Sequence, residues 1–151
     1  MPDRSHEAES SRELERLRSL VASLSADDLR QEMPAGWTIA GVLAHIAFWD
    51  ARALYWMDQW DSGVEPTPPD FETREDVEWI TNAAKPLCLA LGPREAALLS
   101  LRVAEETDRR VAGLSDELLT KVQAVGCPFA LSRGEHRGEH LDDIQRALRG
   151  S

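Results

Sequence analysis

The fold of this chain is decided by the stretch Thr38–Trp60, whose sequence is TIAGVLAHIAFWDARALYWMDQW. Threonine is favourable at a helix start, so we expect a helix that begins after Thr38 and ends near Trp60. Its apolar side chains recur at offsets of three and four residues, which places them on one face together with a histidine. The stretch therefore predicts a central helix whose apolar face turns inward. This face comprises Val42, His45, Ile46, Trp49, Ala53, Trp56 and Trp60.

Similar helical spacing occurs on both sides of this stretch, and no run alternates apolar and polar residues for long enough to predict a sheet. The class is therefore all-α, and the natural architecture is a four-helix bundle with a long connection, residues 61–92, between its second and third helices. Residues 1–9 are polar and are expected to form a flexible tail, followed by a single domain over residues 10–151. The other predicted helices are about Ser10–Ser23, a turn capped by Ser25, Arg74–Leu91, Pro93–Ala112, a turn capped by Ser115, and Glu135–Leu148.

The composition is that of an acidic globular protein. The 151 residues include 17 Lys and Arg and 27 Asp and Glu, which gives a net charge of −10. A surface of this sign repels phosphate groups, so neither nucleic acid nor an anionic membrane is expected as the partner. The N-terminus has no apolar signal-like segment, and Cys88 and Cys127 form no CxxC motif. We therefore expect reduced thiols in a cytoplasmic protein that acts on small molecules.

Three histidines are candidates for a metal site. His136 and His140 are four residues apart, so on a helix their imidazoles project side by side, as a chelating pair must. Two imidazoles leave a metal ion without a full set of ligands, and His45 lies on the inward face of the central helix. The residues leave an alternative open, because a histidine on an apolar face can be a hydrogen-bonded core residue and the pair can lie on the surface.

The segment His136–His140 also matches H-x-x-E-H, the signature of inverted zinc proteases. That class needs a third ligand well downstream, and only 11 residues follow His140, so a peptidase is not expected. Glu139 is nevertheless a candidate general base beside a metal. Glu135 and Asp143 are candidates to accept a hydrogen bond from an imidazole N–H, although a solvated helix face also explains each of these acids.

Tryptophans are concentrated in the same region. Trp37 and Trp49 can pack in the core. Alternatively, the tryptophans, among them Trp49 and Trp56, can form the wall of a substrate site with Arg52 at its mouth to bind an anion. Trp56 and Trp60 extend the apolar face beyond the histidine. They can therefore contact a second subunit, and a homodimer is expected.

Two segments resemble a known family. Gly36–Trp49, GWTIAGVLAHIAFW, is similar to the second-helix signature of the DinB/YfiT-like superfamily, and His136-x-x-x-His140 resembles its second metal motif. The resemblance covers about residues 10–149. It implies a four-helix bundle, usually homodimeric, with a divalent metal ion on His45, His136 and His140. Zn, Ni, Fe and Mn all accept imidazole ligands, so three histidines do not select one of them.

The resemblance is less specific about the reaction. Relatives include mycothiol-dependent maleylpyruvate isomerases, bacillithiol S-transferases and proteins described as metal-dependent hydrolases. Maleylpyruvate isomerases have Glu at the position of His136, so this chain is closer to the YfiT-like and thiol-transferase branches. We expect transfer of a low-molecular-weight thiol, as co-substrate, to a small hydrophobic electrophile that lies against the tryptophans. The alternatives are a metal-dependent hydrolase and a non-catalytic dimer that binds metal or ligand.

Overall fold

The chain folds into a four-helix bundle in the computed structural model, which describes residues 1–68, 73–126 and 130–150. Helices α1 (His6–Ser23), α3 (Ile39–Asp61), α5 (Pro93–Ala112) and α7 (Arg133–Arg149) form the bundle, and α4 (Arg74–Ala90), which lies within the long connection, packs against α3. The predicted all-α class is confirmed. The elements are α1 (His6–Ser23), α2 (Ala26–Arg30), β1 (Glu32–Met33), a 3-10 turn (Pro34–Gly36), β2 (Trp37–Thr38), α3 (Ile39–Asp61), α4 (Arg74–Ala90), α5 (Pro93–Ala112), α6 (Asp116–Ala124) and α7 (Arg133–Arg149).

The central helix α3 begins where the sequence predicts. Thr38 Oγ1 accepts a hydrogen bond of 3.0 Å from the Gly41 amide, which satisfies one of the free donors at the helix start. Residues 39–47 are buried on every side, whereas a single inward face was expected. The reason is α4, which covers the flank that a simple bundle would leave open, and a Cβ on Gly41 would lie 2.7 Å from the Leu89 side chain.

The N-terminal part of the chain differs from the prediction in two places. Helix α1 begins at His6 rather than near Ser10, so residues 6–9 of the predicted tail are helical, and His6 is buried. Arg4 donates to the carbonyl of Leu114, which fastens the start of the chain to the loop before α6. The predicted capping of the next turn by Ser25 is confirmed, because its side chain and that of Asp28 form a capping box.

A short antiparallel hairpin, which the sequence does not predict, joins α2 to α3. Strands β1 and β2 pair through Glu32 with Thr38 and through Met33 with Trp37. The turn between them places Ala35 at φ 60° and Gly36 at φ 75°. Strands of two residues are too short to show an alternating pattern. The conformation of the turn sets the pairing of this hairpin.

Two apolar clusters fill the bundle on either side of the middle of α3. The first includes Leu17, Leu43, Ile46 and Leu141, and the second includes Met57, Trp60, Val111, Leu119 and Val122. Trp60 is therefore part of this chain's own core and is 9% exposed, which corrects the expectation that it contacts a second subunit.

One of the two cysteines lies among the residues that the structure describes. Cys88 is buried in α4 with a free thiol, and Cys127 lies outside the described residues. Within the described part of the chain, no helix combines the length and the apolar character that crossing a bilayer requires.

Candidate metal centre

The three candidate histidines converge on one point between α3 and α7. The Nε2 atoms of His45 and His140 are 3.0 Å apart, those of His136 and His45 are 3.3 Å apart, and those of His140 and His136 are 3.1 Å apart. One turn of α7 brings the pair side by side, and the inward face of α3 supplies the third ring. The sequence prediction that these three rings meet is therefore confirmed.

Hydrogen bonds among the rings do not explain this triangle. Each imidazole has one in-plane bonding direction at Nε2, so three such atoms cannot all point at one another as donor and acceptor. A metal ion explains it: Zn–N bonds of about 2.0–2.1 Å place two ligand nitrogens about 3.3 Å apart in a tetrahedral site and about 3.0 Å apart in an octahedral one. The observed distances lie in this range, and the three histidines can hold one metal ion.

The electrostatic surroundings keep these histidines neutral, which is the form that binds metal. Burial, helped by the neighbouring His140 and by Arg133, lowers the pKa of His45 to about 3. Burial, with the same two neighbours next in importance, lowers the pKa of His136 to about 2. Burial also lowers the pKa of His140, against the opposing effect of Asp143. The site is therefore prepared for a cation at neutral pH without releasing protons from the rings.

The outer nitrogens of the α7 pair have different neighbours. Asp143 Oδ2 lies 3.7 Å from His140 Nδ1, which is too far for a hydrogen bond. Its negative charge nevertheless favours the ring form that has the hydrogen on Nδ1 and leaves Nε2 free to bind. Arg133 Nη2 lies 3.3 Å from His136 Nδ1. If His136 binds a metal ion through Nε2, its ring hydrogen lies on Nδ1. In that state Nδ1 cannot accept a hydrogen bond from Arg133.

Behind the histidines lies a buried network of charges that the sequence reasoning missed. Asp50 of α3 is fully buried and accepts from Arg133 Nε at 2.8 Å and from Arg137 Nε at 2.9 Å. Arg137, itself fully buried, also makes a two-pronged pair with Asp108 of α5 at 2.7 and 2.9 Å. The network is neutral overall, and it fixes the rotation of α7 that presents His136 and His140 to His45.

One signal for this network was present in the sequence. Asp50 lies four residues after Ile46, on the inward, mostly apolar face of the helix, and a carboxylate placed there must have a cationic partner. Arg133 and Arg137 are also four residues apart, and each lies three positions before one of the two histidines. The sequence did not indicate which arginine would meet which acid, because that depends on the packing of α7 against α3 and α5.

A cavity of about 660 Å³ borders all three histidines. Its wall contains the other predicted site residues Trp49, Arg52, Trp56 and Glu139, and also Glu135. The Arg52 guanidinium lies over both indoles, 5.1 Å from the centre of the Trp49 ring and 4.4 Å from that of Trp56. At Arg52 the wall therefore combines a cation with an aromatic surface, where the carboxylate of an organic molecule can bind.

A helical bundle with ligands from facing helices is a recurring architecture for metal sites. Comparison with protein families shows that residues 10–141 match the DinB superfamily, and the chain belongs to that superfamily. Comparisons with curated proteins and with solved structures gave no match.

Proposed function

We propose that this protein is a metal-dependent enzyme that transfers a low-molecular-weight thiol to a small hydrophobic electrophile. The observation that carries the proposal is the convergence of three neutral imidazoles on one point beside a cavity of about 660 Å³. His45, His136 and His140 would hold a divalent ion such as Zn, Ni or Fe. When bound, such an ion lowers the pKa of a thiol or water at its open position and polarises an electrophile.

The charge of the ligand set favours this chemistry. Three histidines add no negative charge, so the full positive charge of the ion acts on whatever anion occupies the open position. Arg52, held over Trp49 and Trp56, would attract the carboxylate that small cellular thiols commonly carry. These side chains would orient the thiol and shield it from water.

Glu139 is the proposed general base. It is exposed at the cavity wall and is adjacent to His140 in α7, so its carboxylate can take the proton of the incoming thiol. The sulfur forms a bond to the electrophilic carbon, and the leaving group departs with the electron pair of its bond to that carbon. The proton held by Glu139 can then neutralise the leaving group.

The test uses the cobalt-substituted protein. Addition of cysteine should produce a sulfur-to-metal absorption band that grows with pH, and His140→Ala should abolish it. Glu139→Gln should retain the band but slow transfer to 1-chloro-2,4-dinitrobenzene by about 10²-fold or more, as expected for loss of a general base. Glu117→Gln, an exposed change in α6, is the matched control. If cysteine leaves the spectrum unchanged while 4-nitrophenyl acetate is hydrolysed, hydrolysis replaces thiol transfer as the function.

We also propose that the protein is a cytoplasmic homodimer. The support is the resemblance to a mostly homodimeric family, together with large apolar side chains that remain exposed on α3 and α4. Tyr55, Trp79 and Leu87 are 62%, 73% and 74% exposed. Sedimentation velocity at micromolar concentration should show a dimer that Trp79→Glu with Leu87→Glu converts to a monomer. A wild-type monomer would contradict the proposal.

A further inference from the structure

A second cavity, of about 600 Å³, lies against two of the three histidines. It shares His45, His140 and Thr81 with the first cavity, so the two cavities meet at the candidate metal centre. The nearby side chains that are unique to it come from the hairpin, from the start of α3 and from the end of α7. They are mostly apolar: Met33, Pro34, Trp37, Val42 and Ala147.

The hairpin wall of this cavity is held in an unfavourable backbone conformation. Ala35 has φ 60°, a region that residues with a Cβ rarely adopt. Lys85 of α4 donates to the Ala35 carbonyl, and its ammonium lies 5.2 Å from the centre of the Trp37 ring. Trp37 in turn meets His45 edge-on, with ring centres 5.6 Å apart. Strain of this kind is typical of functional sites, and here it positions an indole beside a candidate metal ligand.

The two cavities differ in charge. The first has three arginines, Arg52, Arg74 and Arg133, and two acids, Glu135 and Glu139. In the second, the charged side chains are Asp143 and Arg146, which pair with each other. Arg133 is already paired with Asp50, so Arg52 over the two indoles is the cation that the first cavity offers to a carboxylate. The second cavity offers neutral, apolar walls and one flat aromatic face.

We propose that the second cavity binds the uncharged, flat apolar group of the electrophile, while the anionic thiol enters through the first. This assignment rests on the proposed thiol transfer, in which two reactants must meet at the histidines. Transfer requires that each reactant has its own route to the site. The shared residues His45, His140 and Thr81 mark the place where the routes join.

The experiment uses zinc-loaded protein and two naphthalene probes that differ in charge. Each cavity has its own indole reporters in nitrogen–proton NMR spectra: Trp37 for the second, Trp49 and Trp56 for the first, assigned by Trp→Phe variants. Neutral 2-naphthol should shift the Trp37 signal, and anionic 2-naphthoate should shift those of Trp49 and Trp56. Ala147→Phe, which fills the second cavity, should weaken 2-naphthol binding at least 10-fold. The matched change in the first cavity, Val77→Phe, should alter it less than twofold.

The outcomes separate this inference from the proposed function. The inference is wrong if 2-naphthol shifts the Trp49 and Trp56 signals instead of Trp37, or if Ala147→Phe leaves its binding unchanged. If Ala147→Phe fails to fold, the wild-type reporters still decide between the cavities. If 2-naphthol binds at Trp37 but cysteine gives no absorption band with the cobalt protein, the second cavity stands as an apolar ligand site and thiol transfer is rejected.

Discussion

The histidine pair and the arginine pair of α7 have the same spacing but meet α3 in opposite ways. His136 and His140 face His45, and three nitrogens that all need a partner meet at one point. Arg133 and Arg137 face Asp50, and there the opposite charge is already present within the protein. One region is therefore complete without a ligand, whereas the other has a geometry that a metal ion can complete.

This difference assigns different tasks to two regions that lie side by side. The arginine region joins α3, α5 and α7 and should determine whether the bundle folds. The histidine region buries neutral rings that stabilise each other little, and it should determine whether metal binds. Changes in one region should therefore affect stability, and changes in the other should affect metal content.

The largest expected effect is on metal content. Protein purified without a histidine tag and without chelators should carry about one divalent ion per chain, because three imidazoles with an open position form one site. His45→Ala removes the α3 ligand and should lower the metal content measured by mass spectrometry to background. His6→Gln, which changes a histidine outside the cluster, should leave it unchanged. A wild-type chain that cannot be loaded with Zn, Ni, Fe or Mn would contradict the site.

The second largest effect is on the free energy of unfolding. Asp50→Asn keeps the size of the side chain but leaves two buried guanidinium groups facing a neutral amide, which should cost about 3–5 kcal/mol. Urea unfolding of the metal-free protein measures this loss. Glu15→Gln, which breaks an exposed pair with Arg18, should cost less than about 1 kcal/mol. Similar losses in the two variants would show that the buried network does not hold the bundle.

The third largest effect is the pH dependence of stability, to which the histidines should contribute and the arginine pair should not. The pKa values of His45 and His136 are lowered to about 3 and about 2 by burial, so in the metal-free native state both rings stay neutral below their usual pKa of 6.5. The unfolded chain takes up these protons, so stability should fall as pH decreases from about 6.5 to about 4.5. The slope should be on the order of 1 kcal/mol per pH unit for each ring.

The arginine pair provides the contrast in this experiment, because Arg137 stays charged over the whole range. In metal-free His136→Gln, the slope should decrease by on the order of 1 kcal/mol per pH unit, the share of one ring, because His45 and His140 keep their lowered pKa values. Urea unfolding at several pH values measures both curves. An unchanged slope in the variant would assign the acid sensitivity to other groups.

The sequence predicted those features that depend on helical spacing or on the motifs of the family. The start of α3 at Thr38, the bundle class and the meeting of His45 with His136 and His140 follow from helical periodicity and from the family resemblance. The hairpin at Ala35 was missed because its two-residue strands are too short to show an alternating pattern. The burial of Trp60 was missed because it depends on contacts with distant segments, the helices α5 and α6. The same holds for Asp50 with Arg137, since a single sequence gives no information on which charges become partners inside a bundle.

The smallest expected effect concerns a third pair on α7, Gly134 and Gly138, which shares the four-residue spacing but faces α1. A Cβ on Gly134 would lie 2.8 Å from the backbone nitrogen of Ser10 and 2.9 Å from the carbonyl of Glu9, and backbone atoms cannot move aside cheaply. A Cβ on Gly138 would lie 3.2 Å from the flexible side chain of Glu13. The two glycines therefore differ in what an added methyl group displaces.

Gly134→Ala should push α7 away from α1 and cost about 1–2 kcal/mol, since crowding in a packed interface outweighs the gain in helix propensity. Gly138→Ala, its matched control, should be neutral or stabilising by up to about 1 kcal/mol, because Glu13 can turn away. Because α7 carries two of the three histidines, Gly134→Ala should also weaken zinc binding, whereas Gly138→Ala should not. Urea unfolding and competition with a zinc chelator measure the two effects. Equal stabilities for the two variants would mean that the close approach of α1 to Gly134 does not set the position of the histidine pair.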